Sequence, residues 1–161
     1  MARLDCDAQP ALLRLPKLNK HDVMLDPYVF RRVTRELAFK PSVDLFASDA
    51  HHQVPRYFSQ YADPKAAGQD AFQRNWAEET RPYANPPWPL IARVLKKVLT
   101  DKVRIMLVVP HWVQAPWFAD VTRLTERSTL LTDAVFLDEF GSLRPKPWWH
   151  TQICIVNGGS P

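Results

Sequence analysis

Apolar residues recur along this chain with two different spacings, which together predict alternating helices and strands. Asp26 and Pro27 are typical of a helix start, and apolar positions at helical spacing continue until Pro41 ends the helix. A second run, over residues 89–99, places apolar residues on one face and basic residues on the other. A shorter helix is expected over 116–124.

Short apolar runs between these helices predict the strands. We expect strands at residues 43–47, 70–72, 83–85, 104–109, 129–136 and 150–156. The run at 104–109 is apolar at nearly every position, which suits burial on both faces of a parallel sheet. Helices that alternate with such strands predict an α/β fold with crossover connections.

The remaining segments set the expected domain organisation. Residues 1–20 lack sustained periodicity and are interpreted as a flexible tail or linker, residues 21–157 as one domain, and 158–161 as a C-terminal linker. Residues 48–68 are polar and aromatic without a strand pattern, so this loop is expected to be functional or partly disordered.

Composition narrows the class of protein without deciding its function. With 46% hydrophobic and 24% charged residues the chain is typical of a globular protein, and a formal charge of +4 is compatible with an anionic partner. Cys6 and Cys154 form no metal-ligand motif, which favours a reducing compartment and predicts no metal site. No segment reaches the ~20 apolar residues of a membrane span, so an intracellular protein, cytoplasmic or nuclear, is expected.

The most informative motif is Asn85-Pro86-Pro87-Trp88, which follows a predicted strand. An exocyclic amine of a nucleobase is a poor nucleophile because its lone pair is delocalised into the ring. The Asn85 side-chain oxygen and the Pro86 carbonyl can accept its protons and favour an attacking geometry, and proline adds no competing N–H. Trp88 offers a face on which an unstacked base can lie. The motif therefore suits methyl transfer to such an amine.

Other polar residues are predicted to reach the same edge of the sheet. Asp44 and Ser48 lie around the first strand of the α/β pattern, Asp70 follows the long loop, and His111 comes after the fourth strand. Ligands of open α/β sheets bind at the carboxyl ends of the strands. A carboxylate there can accept hydrogen bonds from ribose hydroxyls or an ammonium group and favours a sulfonium charge. Asp44 and Asp70 are the candidates for binding a methyl donor.

These motifs, taken in order, carry a family resemblance. They are Asp44-Leu45-Phe46-Ala47-Ser48, Pro55-Arg56-Tyr57-Phe58-Ser59, Asp70-Ala71-Phe72 with Trp76, and Tyr83-Ala84-Asn85-Pro86-Pro87-Trp88. Their order and spacing resemble the phage-type Dam family of DNA adenine methyltransferases, and more closely the methyltransferase-like domain in polyproteins of DIRS-type retrotransposons. The resemblance implies a Rossmann-like methyltransferase fold with a mostly parallel sheet flanked by helices, S-adenosylmethionine as cofactor, and adenine in DNA as acceptor. It also implies other polyprotein domains as partners.

The resemblance also implies roles for individual residues. Asp44, Phe46 and Ala47 match the cofactor-binding first motif, and Asp70 matches the acidic position before the catalytic strand. Asn85, Pro86, Pro87 and Trp88 match the catalytic tetrad. Many methyltransferases have a glycine-rich turn after the first strand, whereas this chain has Ala47-Ser48-Asp49.

Arg56 and Tyr57 are the candidates for contact with nucleic acid. An arginine and an aromatic ring on a loop beside the cleft can supply phosphate neutralisation and base stacking. In the alternative interpretation, Tyr57 and Phe58 anchor the loop to the core. The tryptophans at 112, 117, 148 and 149 are expected to be packing residues.

Two other functions stay open at the level of sequence. One is a catalytically silent nucleic-acid-binding domain that keeps the fold and has lost the cofactor. The other is a ribonuclease H-like nuclease, which needs carboxylates that converge on two divalent cations. Its candidates are Asp44, Asp70, Glu78 and Asp138, but its mechanism does not call for the motif at 85–88.

Overall fold

A seven-stranded sheet forms the centre of the molecule in the computed structural model, which describes residues 23–159. Its strands are β2 (Val43–Ala47), β3 (Tyr57–Ser59), β4 (Gly68–Gln69), β5 (Pro82–Ala84), β6 (Arg104–Pro110), β7 (Thr125–Leu131) and β9 (Thr151–Asn157). Strands β1 (Met24–Leu25) and β8 (Phe136–Leu137) form a small antiparallel pair. The α-helices are α1 (Pro27–Glu36), α2 (Ile91–Asp101) and α3 (Phe118–Leu124), and 3-10 helices span Ala71–Gln73, Trp76–Glu78 and Trp88–Leu90.

The order of the strands determines where a ligand can bind. Across the large sheet the order is β4-β3-β2-β5-β6-β9-β7, and the first five strands are mutually parallel. Strand β9 pairs antiparallel with both β6 and β7. The chain winds outward from β2 to β4 and then crosses to β5 on the other side of β2. A crevice therefore opens between β2 and β5 at their carboxyl ends, the place where α/β sheets bind ligands.

Two hydrophobic cores cover the two faces of this sheet. Strand β6 contributes to both because its side chains alternate, with Leu107 in one core and Met106 in the other. Helix α2 buries Val94 and Val98 in the first core, and α1 buries Val33 in the second. Helices on both faces explain why β6 is apolar along almost its whole length.

Local sequence explains where α1 begins and where α2 ends. The Asp26 carboxylate accepts a hydrogen bond from the backbone N–H of Tyr28 at 2.9 Å, and Pro27 occupies the first helical position. Helix α2 ends at Lys102, which has a left-handed conformation with φ of 55°. After β9, the backbone N–H of Gly158 bonds to the Val103 carbonyl, and a Cβ at Gly158 would lie 2.2 Å from the Val98 carbonyl oxygen. Gly158 thus packs against α2.

The predicted α/β Rossmann-like fold is confirmed, with differences in several elements. The segment predicted as a strand at 70–72 is a 3-10 helix, because the Asp70 side chain caps it, and the strand β4 comes just before it. The loop predicted over 48–68 contains β3, whose three residues are all buried. The strand expected at 129–136 begins at Thr125 and ends at Leu131, and Phe136 belongs to β8.

Some expectations fall outside what the structure describes. The predicted tail at 1–20 and the last two residues of the predicted linker, 160–161, lie outside the described residues. Among the helices of residues 23–159, none is long and apolar enough to cross a membrane.

Candidate active site

A cavity of about 520 Å³ occupies the crevice at the carboxyl ends of β2 and β5. This volume lies within the range of small-molecule and cofactor sites, roughly 300–1,000 Å³. Its lining includes all four residues predicted to bind the cofactor, together with part of the predicted tetrad: Asp44, Phe46, Ala47, Asp70, Asn85 and Pro87. We call it the cofactor cavity.

Asp44 is the most deeply buried carboxyl group at this cavity, with 3% of its surface exposed. It is the second residue of β2 rather than a strand-end residue, and it accepts hydrogen bonds from the backbone N–H groups of Gln53, at 3.0 Å, and Phe46, at 3.4 Å. Burial raises the pKa of Asp44 to about 7, against the opposing effect of these two donors. A bound cation would favour its ionised form.

This raised pKa predicts how stability depends on pH. The folded protein holds a proton on Asp44 that the unfolded chain releases near its ordinary pKa of 3.8, so this group makes the folded state less stable as pH rises from about 4 to about 7. One unit of pKa shift corresponds to about 1.4 kcal/mol. Between about pH 5 and about pH 8, the wild type should lose about 2–3 kcal/mol more of its free energy of unfolding than Asp44→Asn does. Urea unfolding at both pH values measures this, and equal losses would contradict the assignment.

The Tyr83 hydroxyl adds an unused donor beside Asp44. Tyr83 pairs with Asp44 across β5 and β2 and is 1% exposed. Burial, followed by the charge of Asp44, raises its pKa well above the usual value, so the hydroxyl stays protonated. Among the described residues this hydroxyl has no hydrogen-bond partner. Because buried polar groups are nearly always paired, it fits an acceptor atom supplied by a ligand.

Asp70 lies on the far side of the cavity in a strained backbone conformation. Its φ of 56° and ψ of 93° are uncommon for a residue with a side chain. Its carboxylate accepts a hydrogen bond from the backbone N–H of Phe72 at 3.1 Å, which holds the turn. Asp70 follows the edge strand β4, and β3 lies between that strand and β2, which carries Asp44.

Aromatic rings form an apolar wall of the cofactor cavity. Phe46 and Phe72 meet edge to face at 5.4 Å between centroids, and both contact the fully buried ring of Trp76 behind them. The Arg93 guanidinium lies 3.9 Å from the centroid of Phe72. A cavity lined by such a wall and by two carboxylates suits a ligand that has both an aromatic ring and a positive charge.

The predicted tetrad lies between this cavity and a second one. Strand β5 ends at Ala84, so Asn85 emerges at the carboxyl edge of the sheet, and Pro86 and Pro87 follow in extended chain before the 3-10 helix. Among the described residues, the Asn85 amide has no hydrogen-bond partner. Asn85 and Pro87 line both cavities, whereas Pro86 and Trp88 line only the second.

The second cavity, of about 230 Å³, is smaller and more apolar than the first. We call it the acceptor cavity, after the motif predicted to bind the methyl acceptor, which lines it. Its lining opposite the tetrad comes from the chain after β7: Val135, Phe136, Arg144, Pro145, Pro147 and Trp149. The Trp88 ring meets Phe136 at 6.2 Å and Trp112 at 6.3 Å between centroids, nearly edge to face in both contacts. Sequence reasoning missed this wall, and its only sequence signal is the cluster of proline and tryptophan at 145–149.

The predicted nucleic-acid contacts, Arg56 and Tyr57, line neither cavity. Arg56 donates two hydrogen bonds to Glu79, at 2.9 and 2.7 Å. Tyr57 is 2% exposed, donates its hydroxyl to Asp63 at 2.7 Å, and stacks on His52. Tyr57 therefore anchors the loop, and it offers no exposed ring face for a base.

Two further expectations concern His111 and metal binding. His111 contacts Gln152 through its Nδ1 at 3.1 Å and lines neither of the two cavities. Within residues 23–159 no three side chains of His, Cys, Asp or Glu converge as a metal site would require. The four carboxylates nominated for a nuclease therefore do not form the cluster that its mechanism needs.

Comparison with known proteins supports the fold. No protein-family model matches the chain, and no curated protein matches it. Among solved structures, the chain is similar to a dimethyladenosine transferase from Plasmodium falciparum, with a TM-score of 0.50 and 11% identity. The match covers 83% of this chain and 63% of that one, so this chain spans less than two thirds of that protein. At this identity the likeness concerns the fold alone, which is a Rossmann-like α/β fold.

Proposed function

We propose that this chain is an S-adenosylmethionine-dependent methyltransferase that acts on the exocyclic amine of adenine in DNA. The observation that carries the proposal is the position of Asn85, which lines both cavities and has an unpaired amide among the described residues. Methyl transfer requires donor and acceptor to approach from two sides and meet at one group. The similarity to an adenine-modifying enzyme agrees in fold with this chemistry.

The tetrad supplies the polar groups that the reaction needs. The Asn85 side-chain oxygen and the Pro86 carbonyl accept hydrogen bonds from the target amine, which withdraws its lone pair from the ring and directs it toward the cofactor cavity. Trp88 stacks on the base inside the acceptor cavity. Transfer would form the new N–C bond as the C–S bond of the methyl donor breaks. The Asn85 oxygen and the Pro86 carbonyl would accept hydrogen bonds from the N–H groups of the positively charged, methylated nitrogen, which then releases one proton to solvent.

The residues of the cofactor cavity fit S-adenosylmethionine, which supplies an electrophilic methyl group on a sulfonium ion when it is bound. When it is ionised, Asp44 would favour a positive charge on the ligand, and Asp70 could accept hydrogen bonds from ribose hydroxyls. The Tyr83 hydroxyl, which has no hydrogen-bond partner within residues 23–159, can donate to the ligand. Phe46 and Phe72 provide an apolar wall for a nucleobase.

Cofactor binding gives the most direct test of these assignments. Asp44→Asn and Asp70→Asn should each weaken S-adenosylmethionine binding by about 1–3 kcal/mol, because each removes a charged acceptor. Affinity of the wild type should also rise through about pH 7 as Asp44 ionises, and this rise should be absent in Asp44→Asn. Isothermal titration calorimetry measures both effects, with Asp120→Asn, an exposed residue that lines neither cavity, as the matched control.

Two results of this titration would contradict the assignments, and they lead to different conclusions. If both bind the cofactor as tightly as the wild type, Asp44 and Asp70 are not in its site. If the wild type itself binds no cofactor, the chain is the catalytically silent domain. The observation that favours that alternative is the turn after β2, where Ala47-Ser48-Asp49 replaces the glycines that let the backbone approach a cofactor closely.

A further inference from the structure

An exposed strip of aromatic and cationic side chains adjoins the acceptor cavity. It consists of the exposed residues Arg144, Lys146 and Trp148. We call it the Trp148 strip. Arg144 also lines the acceptor cavity, as do Pro147 and Trp149 of the same segment. Trp148 is 83% exposed, so the expectation that it is a packing residue is wrong. A large aromatic side chain that is left in solvent beside a cavity is typical of a binding surface.

Two tryptophan rings neighbour the Trp148 indole. Trp149 meets it edge to face at 5.2 Å, and Trp112 lies nearly parallel to it, with 6.5 Å between centroids and 12° between planes. Pro147 restricts the backbone before it. A solvent-facing indole offers a planar face on which a flat ligand can stack.

The charges of the strip indicate an anionic partner. Among the described residues, Arg144 and Lys146 have no acidic partner, whereas Arg56 and Arg104 are both paired with glutamates. The nearby Asp138 uses its carboxylate to accept backbone N–H groups of its own turn. A planar platform beside unpaired cations matches a ligand that has aromatic rings joined by negative charges, which is the chemistry of a polynucleotide.

We propose, building on the proposed function, that Trp148 stacks on the base next to the target base and that Arg144 neutralises the phosphate between them. Bases in a duplex have both faces covered by their neighbours, so two separate platforms, Trp88 and Trp148, require bases that are out of the stack. The site therefore takes single-stranded nucleic acid in preference to a continuous duplex.

The test is binding of a fluorescently labelled single strand that contains only thymine, measured by anisotropy without cofactor. Trp148→Ala should weaken binding roughly 5- to 150-fold, the equivalent of about 1–3 kcal/mol for one stacked base. Trp148→Phe should keep most of the affinity. Tyr28→Ala is the matched control, because Tyr28 is 78% exposed, lies on α1 and lines neither cavity.

Salt dependence separates the role of Arg144 from that of Trp148. Arg144→Gln should reduce the slope of log affinity against log salt by about 0.7, the value for one phosphate of a single strand, whereas Trp148→Ala should leave the slope unchanged. Equal binding by Trp148→Ala and the wild type, or tighter binding of a duplex than of the single strand, would overturn the proposal. Self-association of the wild type that Trp148→Ala abolishes would assign the strip to a protein contact instead.

This binding test is independent of the proposed chemistry. Its probe has no adenine, and the assay contains no methyl donor. Single-strand binding that depends on Trp148, in a chain that transfers no methyl group, would support the strip and refute the proposed activity. If Trp148→Ala transfers methyl groups and binds the single strand as well as the wild type does, the proposed activity would be supported and the role of the strip refuted.

Discussion

Replacing Asn85 with alanine is expected to lower the rate of methyl transfer roughly 100-fold or more, the usual effect of losing one preorganised hydrogen-bonding group at a transition state. The backbone on either side of Asn85 is constrained before the substrate binds, by the strand that ends at Ala84 and by the two prolines that follow. Cofactor binding should persist, since Asp44 and Asp70 remain. The measurement is the single-turnover rate of label transfer from the methyl donor to an adenine-containing oligonucleotide.

Two matched variants make this result specific. Asn85→Asp keeps an acceptor oxygen in place and should lose less activity than the alanine variant. Asn157→Ala should retain the wild-type rate, because Asn157 lies far from the motif along the sheet. It is the strand partner of Arg104, the first residue of β6, whereas Asn85 lies at the carboxyl ends of the parallel strands. A rate for Asn85→Ala within a few-fold of the wild type would remove Asn85 from the catalytic group.

Trp76→Ala should lower the free energy of unfolding by about 3–5 kcal/mol, more than Trp76→Phe or Trp148→Ala does. Trp76 is fully buried, its indole N–H donates to the Ala71 carbonyl at 2.9 Å, and its backbone N–H donates to Asp101 at 2.9 Å. Its ring also supports Phe46 and Phe72, so the variant should weaken the wall of the cofactor cavity. Urea unfolding measures the loss.

The control for Trp76→Ala is the same substitution at an exposed tryptophan. Trp148→Ala removes the same side chain from an 83% exposed position and should change the free energy of unfolding by no more than about 0.5 kcal/mol. Trp76→Phe should lose about 1–3 kcal/mol, because the Ala71 carbonyl loses its donor while most of the volume is kept. A Trp76→Ala variant as stable as Trp148→Ala would show that Trp76 does not support the core.

The elements that could be predicted from sequence are those with long, strongly patterned segments. Helix α2 and strand β6 have enough consecutive residues for their spacing to be unambiguous. Strands β3 and β4 have three and two residues, which is too short for a pattern. Strand β7 lies at the edge of the sheet with most of its side chains exposed, so its sequence lacks an apolar signal.

The candidate site was predictable on one side only. The motif at 85–88 predicts the tetrad, because the proposed chemistry depends on residues that are consecutive in the chain. The opposite wall of the acceptor cavity comes from residues about fifty positions later, and only the fold brings Trp149 near Trp88. The raised pKa of Asp44 also depends on burial by distant residues, which local spacing does not encode.

The measurement that tests the central proposal most directly is identification of the modified nucleoside. The wild type is incubated with methyl-labelled S-adenosylmethionine and a single-stranded DNA that contains adenine, and the DNA is then digested to nucleosides. We expect the label in adenine methylated at its exocyclic amine, and its loss in Asn85→Ala. A wild type that binds both the cofactor and the DNA yet labels no adenine, or labels another position, would contradict the proposed function.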